Sequence, residues 1–148
     1  MKILVLQGPN LNLLGRREPH IYGKLTLKDI QKKLDQLAKE LKVDLVHFQS
    51  NVEGELVNKM HEHIDDADGA LINPAAYTNF GVALHDCIKT MPYPVIEVHI
   101  SNRHHREEWR HHSFVSSAAK ATVEGLGWRS YTAALRALVE LAGEKKKT

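Results

Sequence analysis

Short apolar runs alternate along this chain with segments whose apolar residues recur at helical spacing, and that alternation limits the fold more than any other feature. Ile3-Leu4-Val5-Leu6-Gln7, Val43 to Gln49, Gly69-Ala70-Leu71-Ile72-Asn73, Pro94 to His99 and Thr122 to Leu126 read as strands. Between them, Leu27, Ile30, Leu34, Leu37 and Leu41 form one helical stripe, and Leu56, Val57, Met60 and Ile64 a second. Ala83, Leu84, Cys87, Ile88 and Met91 form a third, and Ala134, Leu135, Leu138 and Val139 a last. Thr26, with Asp29 three residues on, is a helix start signal; Ser50 to Glu53 repeats the pattern, and Ser130 reads as the cap of the final helix. Strands that alternate with helices predict an α/β fold, a mainly parallel sheet covered on both faces.

Five strands favour the open flavodoxin-like order over a closed barrel. A chain of 148 residues suits one domain over 1–148, and it carries neither an internal repeat nor a linker. No apolar run approaches the roughly 20 residues of a membrane helix, and no signal peptide is legible at the N-terminus. The lone Cys87 excludes an internal disulfide and fits a reducing cytoplasm. A formal net charge of +2 gives no footing for nucleic acid, and the basic tail over about 144–148, with Lys145-Lys146-Lys147, reads as a solvated, frayed end.

In an open parallel sheet, ligands sit beyond the C-terminal strand ends. Those ends carry Gly8-Pro9-Asn10, Asn73-Pro74 and Val98-His99-Ile100-Ser101. Pro9 has no N–H for a ladder and Gly8 permits a sharp turn, so the first strand stops abruptly and presents Asn10 at the mouth of the sheet. The loop over about 11–23 is long for a connection and carries Arg16, Arg17, Glu18 and Tyr22 before Gly23, as an active-site lid would. A free tyrosine, with a reference pKa near ~10, is a poor base, but a neighbouring arginine favours a phenolate; Arg17 lies five residues before Tyr22. The plainer alternative is that Tyr22 packs the loop onto the domain. His99 alternates with Val98 and so either faces the cleft or is satisfied within the core. Ser101-Asn102 suits a helix cap or a carboxylate cradle. Arg106 and Arg110, four apart, share a face if 106–110 is a helical turn, either as an ion-pair surface with Glu107 or as a clamp on an anion.

Ten histidines raise the question of a metal, but His61/His63, His104/His105 and His111/His112 do not have the spacing to converge on one ion, and Cys87 belongs to an apolar stripe. Dinucleotide fingerprint, P-loop and serine nucleophile elbow are all missing.

Taken together, Gly8-Pro9-Asn10-Leu11, Gly15-Arg16-Arg17-Glu18-Pro19 with Tyr22-Gly23, Gln49-Ser50-Asn51 and Ile72-Asn73-Pro74 resemble the type II 3-dehydroquinate dehydratase family. Val82-Ala83-Leu84 with Asp86, Glu97-Val98-His99-Ile100-Ser101-Asn102, Arg106-Glu107-Glu108 with Arg110, and Gly125-Leu126-Gly127 extend the resemblance over nearly the whole chain. It implies reversible dehydration of 3-dehydroquinate to 3-dehydroshikimate through an enolate, in the shikimate pathway of aromatic amino acid biosynthesis, without metal or cofactor. Tyr22 would be the base, Arg17 its activator, Asn10 a holder of the enolate oxygen and His99 the general acid. Asn73, Ile100 and Ser101 would hold the carboxylate, and Arg106 and Arg110 would complete the substrate site, Arg110 on ring hydroxyls. Asp86 matches a residue that reaches a neighbouring subunit's site, in a cytoplasmic homo-oligomer expected to be a dodecamer of trimers, with no nucleic acid or membrane partner. Two positions depart from the family: Asn79 stands where most members have histidine, and His85 where arginine is common. The competing reading is a catalytically silent flavodoxin-like module that binds a small anion in the same cleft.

Overall fold

The computed structural model describes residues 1–145 and 147. Strands β1 (Lys2–Gln7), β2 (Asp44–Gln49), β3 (Gly69–Asn73), β4 (Val95–His99) and β5 (Ala121–Glu124) form one parallel sheet in the order β2-β1-β3-β4-β5. This is the flavodoxin-like order, in which the chain reverses direction across the sheet between β1 and β3. Strands β1, β3 and β4 are buried on both faces, while edge strands β2 and β5 are half-buried, as their mixed polarity requires.

Alternation along the inner strands sends successive side chains into two cores. Ile3, Val5, Leu71, Ile96 and Val98 pack against α2 (Leu27–Leu41) and α7 (Arg129–Lys145) through Ile30, Leu34, Tyr131, Leu135 and Leu138. Leu4, Leu6, Ala70, Ile72 and Val95 face α3 (Glu53–Glu62) and α5 (Val82–Thr90) through Leu56, Met60, Leu84 and Ile88. Each such side chain, fully buried, contributes roughly 1.5–3 kcal/mol, so these two layers hold the strand ends in register.

The Thr26 signal is realised as a reciprocal box: Thr26 Oγ1 accepts from Asp29 N (3.2 Å) and Asp29 Oδ2 accepts from Thr26 N (3.0 Å). The other two expected caps are corrected. Helix α3 starts at Glu53 after Val52, and Ser50 instead accepts from Val52 N at 2.9 Å and bonds Glu55. Ser130 lies inside α7, fully buried, where its hydroxyl accepts from Leu126 N at 3.1 Å. Ala83, expected on the apolar stripe of α5, is exposed. Helix α7 continues through Lys145, into the segment expected to be tail; Lys146 and Thr148 lie outside the described residues.

Gly8 is required for a reason other than turn flexibility. A Cβ there would sit 2.6 Å from the Pro74 carbonyl oxygen, because the chains leaving β1 and β3 touch, joined by Gly8 N donating to Asn73 O at 2.7 Å. That contact fixes the crossover point where the strand ends open into a cavity.

Candidate active site

The cavity lies beyond the C-terminal ends of β1, β3 and β4. Arg17, Tyr22, Asn73, His99, Ile100, Ser101, Arg106 and Arg110 all line it, joined by Leu11, Ala75, Ala76, Thr78, Asn79 and Arg103. Asn10 and Asp86 do not.

The segment after β1 is more structured than a free loop. A 3-10 turn (Leu11–Leu13) follows Asn10, Leu11 and Leu14 are buried in the α2/α7 core, and α1 (Pro19–Tyr22) delivers Tyr22. Gly15 (φ 92°) and Gly23 (φ 82°) bracket the outer part with backbone conformations that suit glycine. Tyr22 is half-buried, and its phenol oxygen accepts from Arg106 Nη1 at 3.0 Å; the same nitrogen donates to Ser101 Oγ at 3.3 Å. The Arg17 guanidinium lies 4.7 Å from the centre of the Tyr22 ring, and that of Arg106 lies 5.3 Å from it. The expected pairing of Arg17 with Tyr22 is thus a ring-face contact, while the oxygen itself belongs to Arg106, 84 residues away in sequence.

His99 ends β4, 7% exposed, with Nε2 at 2.6 Å from Glu97 Oε1. Glu97 lies two residues earlier on the same face of the strand and is fully buried. Thr78, from α4 (Tyr77–Phe80), bonds Oε1; Ser116, from α6 (Phe114–Ala118), and Thr122, on β5 (3.3 Å), bond Oε2. Burial alone would push the Glu97 carboxyl up, but the hydrogen bond and charge of His99, with the Ser116 and Thr78 hydroxyls, bring it down to about 2. An ionised Glu97 only accepts, so His99 Nε2 carries the proton and Nδ1 is the ring nitrogen left for a ligand. Glu97 was not singled out from the sequence; its signal was a lone acid in a buried apolar strand, spaced by two from a histidine.

The stretch 106–110 is not one helical turn. Two 3-10 turns, Arg103–His105 and Glu108–Arg110, flank an extended Arg106. Arg106 and Arg110 nevertheless meet at the cavity and share Glu107, at 3.8 and 2.7 Å. The ion-pair reading of the two arginines is what these contacts show, and both cations also line the cavity. Arg103 adds a further buried guanidinium, its Nε held by Glu124 at 2.7 Å and its Nη2 by Ser116 at 3.2 Å. Asn102 Oδ1 accepts from His104 N at 3.0 Å, the cap reading of that residue.

Asn10 follows the end of β1 but stands outside the cavity lining. Its backbone is left-handed (φ 67°), a conformation asparagine tolerates, its N–H donates to Asn51 Oδ1 at 3.0 Å, and the residue is exposed. Asp86 is an exposed residue of α5 paired with His85 Nδ1 at 3.0 Å. Asn79 caps nothing: it is 6% exposed and its Nδ2 donates toward the carbonyls of Trp109 (3.3 Å), Arg110 (3.2 Å) and His112 (2.7 Å). Among the described residues, no three His, Cys, Asp or Glu side chains are grouped so as to hold a metal, and no helix is long and apolar enough to cross a membrane.

A family model described as "Dehydroquinase class II" matches residues 1–139. A "3-dehydroquinate dehydratase" from Tolumonas auensis is 54% identical over 138 residues, covering 93% of this chain and 91% of its own. The crystal structure of a type II dehydroquinase from Butyrivibrio crossotus superposes with a TM-score of 0.91 at 38% identity, covering 93% of this chain and 97% of its own. That of the type II dehydroquinase from Propionibacterium acnes gives 0.90 at 43% identity, covering 94% and 96%.

Proposed function

Because the chain belongs to the class II dehydroquinase family and dehydrates 3-dehydroquinate, we propose that Tyr22 and His99 are its base and acid across the cavity described above. The observation that carries this assignment is a phenol oxygen bonded by Arg106, with the Arg17 guanidinium over the face of the same ring, in the same cavity as the buried Glu97–His99 pair.

Tyr22, as phenolate, takes the proton from the carbon beside the ketone, and the electron pair moves onto the ketone oxygen as an enolate. Two guanidinium charges next to the phenol stabilise the anionic oxygen electrostatically. The enolate then re-forms the ketone while the C1 hydroxyl departs with a proton from His99, giving 3-dehydroshikimate and water. Glu97 stabilises the imidazolium that donates that proton, as a carboxylate at 2.6 Å does. Proton return from Tyr22 to His99 through solvent closes the cycle. Asn73, Ile100 and Ser101 hold the carboxylate, and Arg110 the ring hydroxyls. Asn10 reaches the enolate oxygen through a bridging water once the segment over 15–23 closes as a lid, since its side chain stands outside the cavity.

We place the reaction in the shikimate pathway, in the cytoplasm, where the lone buried thiol of Cys87 is compatible with a reducing environment. Assembly is proposed as a dodecamer of trimers in which Asp86, with its side chain 76% exposed, reaches a neighbouring site. Exposed Phe80, Val82 and Trp109 give the apolar surface such contacts need.

Incubation with 3-dehydroquinate tests the assignment, because the conjugated enone of the product raises ultraviolet absorbance. Tyr22→Phe should lower kcat by roughly 100- to 10,000-fold with fold and assembly unchanged. Near-native turnover in that variant would return Tyr22 to a packing role. A silent anion-binding module would give no absorbance change with the unmodified protein.

A further inference from the structure

We infer that Tyr131 is a positioning residue that locks the side-chain amide of Asn73 in the orientation a carboxylate in the cavity requires. The inference rests on the assignment of Asn73 to the substrate carboxylate. Asn73 ends β3, 3% exposed, and lines the cavity. Its Nδ2 donates to the Tyr131 hydroxyl at 2.7 Å, and that hydroxyl donates to Gln7 Oε1 at 2.7 Å. Gln7 is the residue opposite Asn73 in the β1–β3 register, while Tyr131 comes from α7, 58 residues beyond Asn73.

The direction of this chain of bonds is set at one end. Ala75 N donates to Asn73 Oδ1 at 3.1 Å, so the amide oxygen must face Ala75 and the nitrogen must face Tyr131. The phenol oxygen therefore accepts from Asn73, and its single proton goes to Gln7 Oε1. Burial pushes the Tyr131 phenol up, so it keeps that proton throughout the working range. With Oδ1 and one N–H occupied, Asn73 has one N–H left, and it is the donor available to a carboxylate. Without Tyr131 the amide would be held at its oxygen only, and the terminal torsion of asparagine is broad.

The arrangement is expensive for a packing device. Tyr131 is 1% exposed among Leu and Ile side chains of the α2/α7 core, and Gln7 Nε2 is buried with no partner. An aliphatic side chain at Gln7 would avoid that penalty. Retention of a polar triad is explained when its end product is an oriented donor in the cavity.

Tyr131→Phe, Asn73→Ala and the double variant decide the matter. Tyr131→Phe should raise KM for 3-dehydroquinate about three- to tenfold, with kcat within about twofold, since ground-state and transition-state carboxylate contacts weaken together. In the Asn73→Ala background the same change should add less than about twofold. Gln7→Met keeps the phenol but removes its acceptor, and should raise KM in the same direction by less; it carries the test if Tyr131→Phe does not fold. A lowered Tm with unmoved KM, or an equal effect of Tyr131→Phe with and without Asn73, would make Tyr131 a packing residue only. An unmoved KM in Asn73→Ala itself would instead overturn the assignment of Asn73 to the carboxylate.

Discussion

Asn79 spends its amide nitrogen on the backbone carbonyls of the segment that carries Arg110, so its effect on substrate passes through the position of that arginine. Asn79→Ala should lower stability by about 1–3 kcal/mol, the usual cost of leaving buried carbonyls without a donor, and raise KM. Asn79→Asp is the sharper test, because it keeps the size but turns an acceptor toward three acceptors. It should be worse than alanine in both stability and KM, and equal behaviour of the two would remove the clamp. This role is not legible from the sequence around Asn79, since the partner carbonyls lie 30–33 residues away. Strand-end logic did bring Asn73, His99, Ile100 and Ser101 to one cavity, because those residues follow directly from β3 and β4. Glu97 escaped that logic: its hydroxyl partners Thr78, Ser113, Ser116 and Thr122 come from α4, from α6 with its cap and from β5, which only the folded chain brings together. The Arg106 contact with Tyr22 was hidden for the same reason, whereas Arg17 on the same loop was in view.

At the scale of elements, apolar spacing located every sheet strand and the four long helices, because burial on the inner strands tolerates little else. Helix starts were less legible. A serine near a helix N-terminus has several backbone donors within reach, and Ser50 and Ser130 each took one other than the expected cap bond. The loop over 11–23 has the composition of a lid, but its first part holds two apolar anchors, Leu11 and Leu14, 2% and 3% exposed. Hydrogen exchange on the ligand-free protein should divide it at Gly15. The amides of Leu13 and Leu14, bonded to Asn10 and Leu11 in the anchored part, should be the better protected; those of Arg16, Arg17, Ile21, Tyr22 and Gly23, though bonded locally, should exchange faster because no residue over 15–23 is buried. Saturation with substrate should slow the outer part. Uniform protection of 15–23 without ligand would contradict a lid.

For the molecule as a whole, the carboxyl groups that depart from their ordinary values move in one direction. Asp29, in the capping box with Thr26, exposed Glu62 and Asp66, beside Lys59 and Lys2 respectively, and exposed Glu107, bonded by its own backbone N–H and then by Arg110, all lie below the usual range. Glu97 falls furthest and is the only buried member of the set. A carboxyl whose native value is depressed binds its proton more readily unfolded, so it stabilises the fold above its unfolded value and loses that contribution as pH falls through the native one. For Glu97 the window runs from the ordinary 4.5 down to about 2. Urea denaturation at pH 7, 5, 4 and 3 should therefore show little change to pH 5 and an accelerating loss below it. Each fully linked carboxyl contributes a slope of up to about 1.4 kcal/mol per pH unit. The loss should be shallower when exposed pairs are screened by salt, whereas the buried Glu97–His99 pair responds far less. Isotope-edited infrared spectra separate the two contributions: the carboxylate band of Glu97 should persist at pH 3 in protein that is still folded. A protonated Glu97 band already present at pH 4 in the native state would show that His99 and the surrounding hydroxyls do not hold the charge, and would remove the electrostatic support given to His99 as the acid.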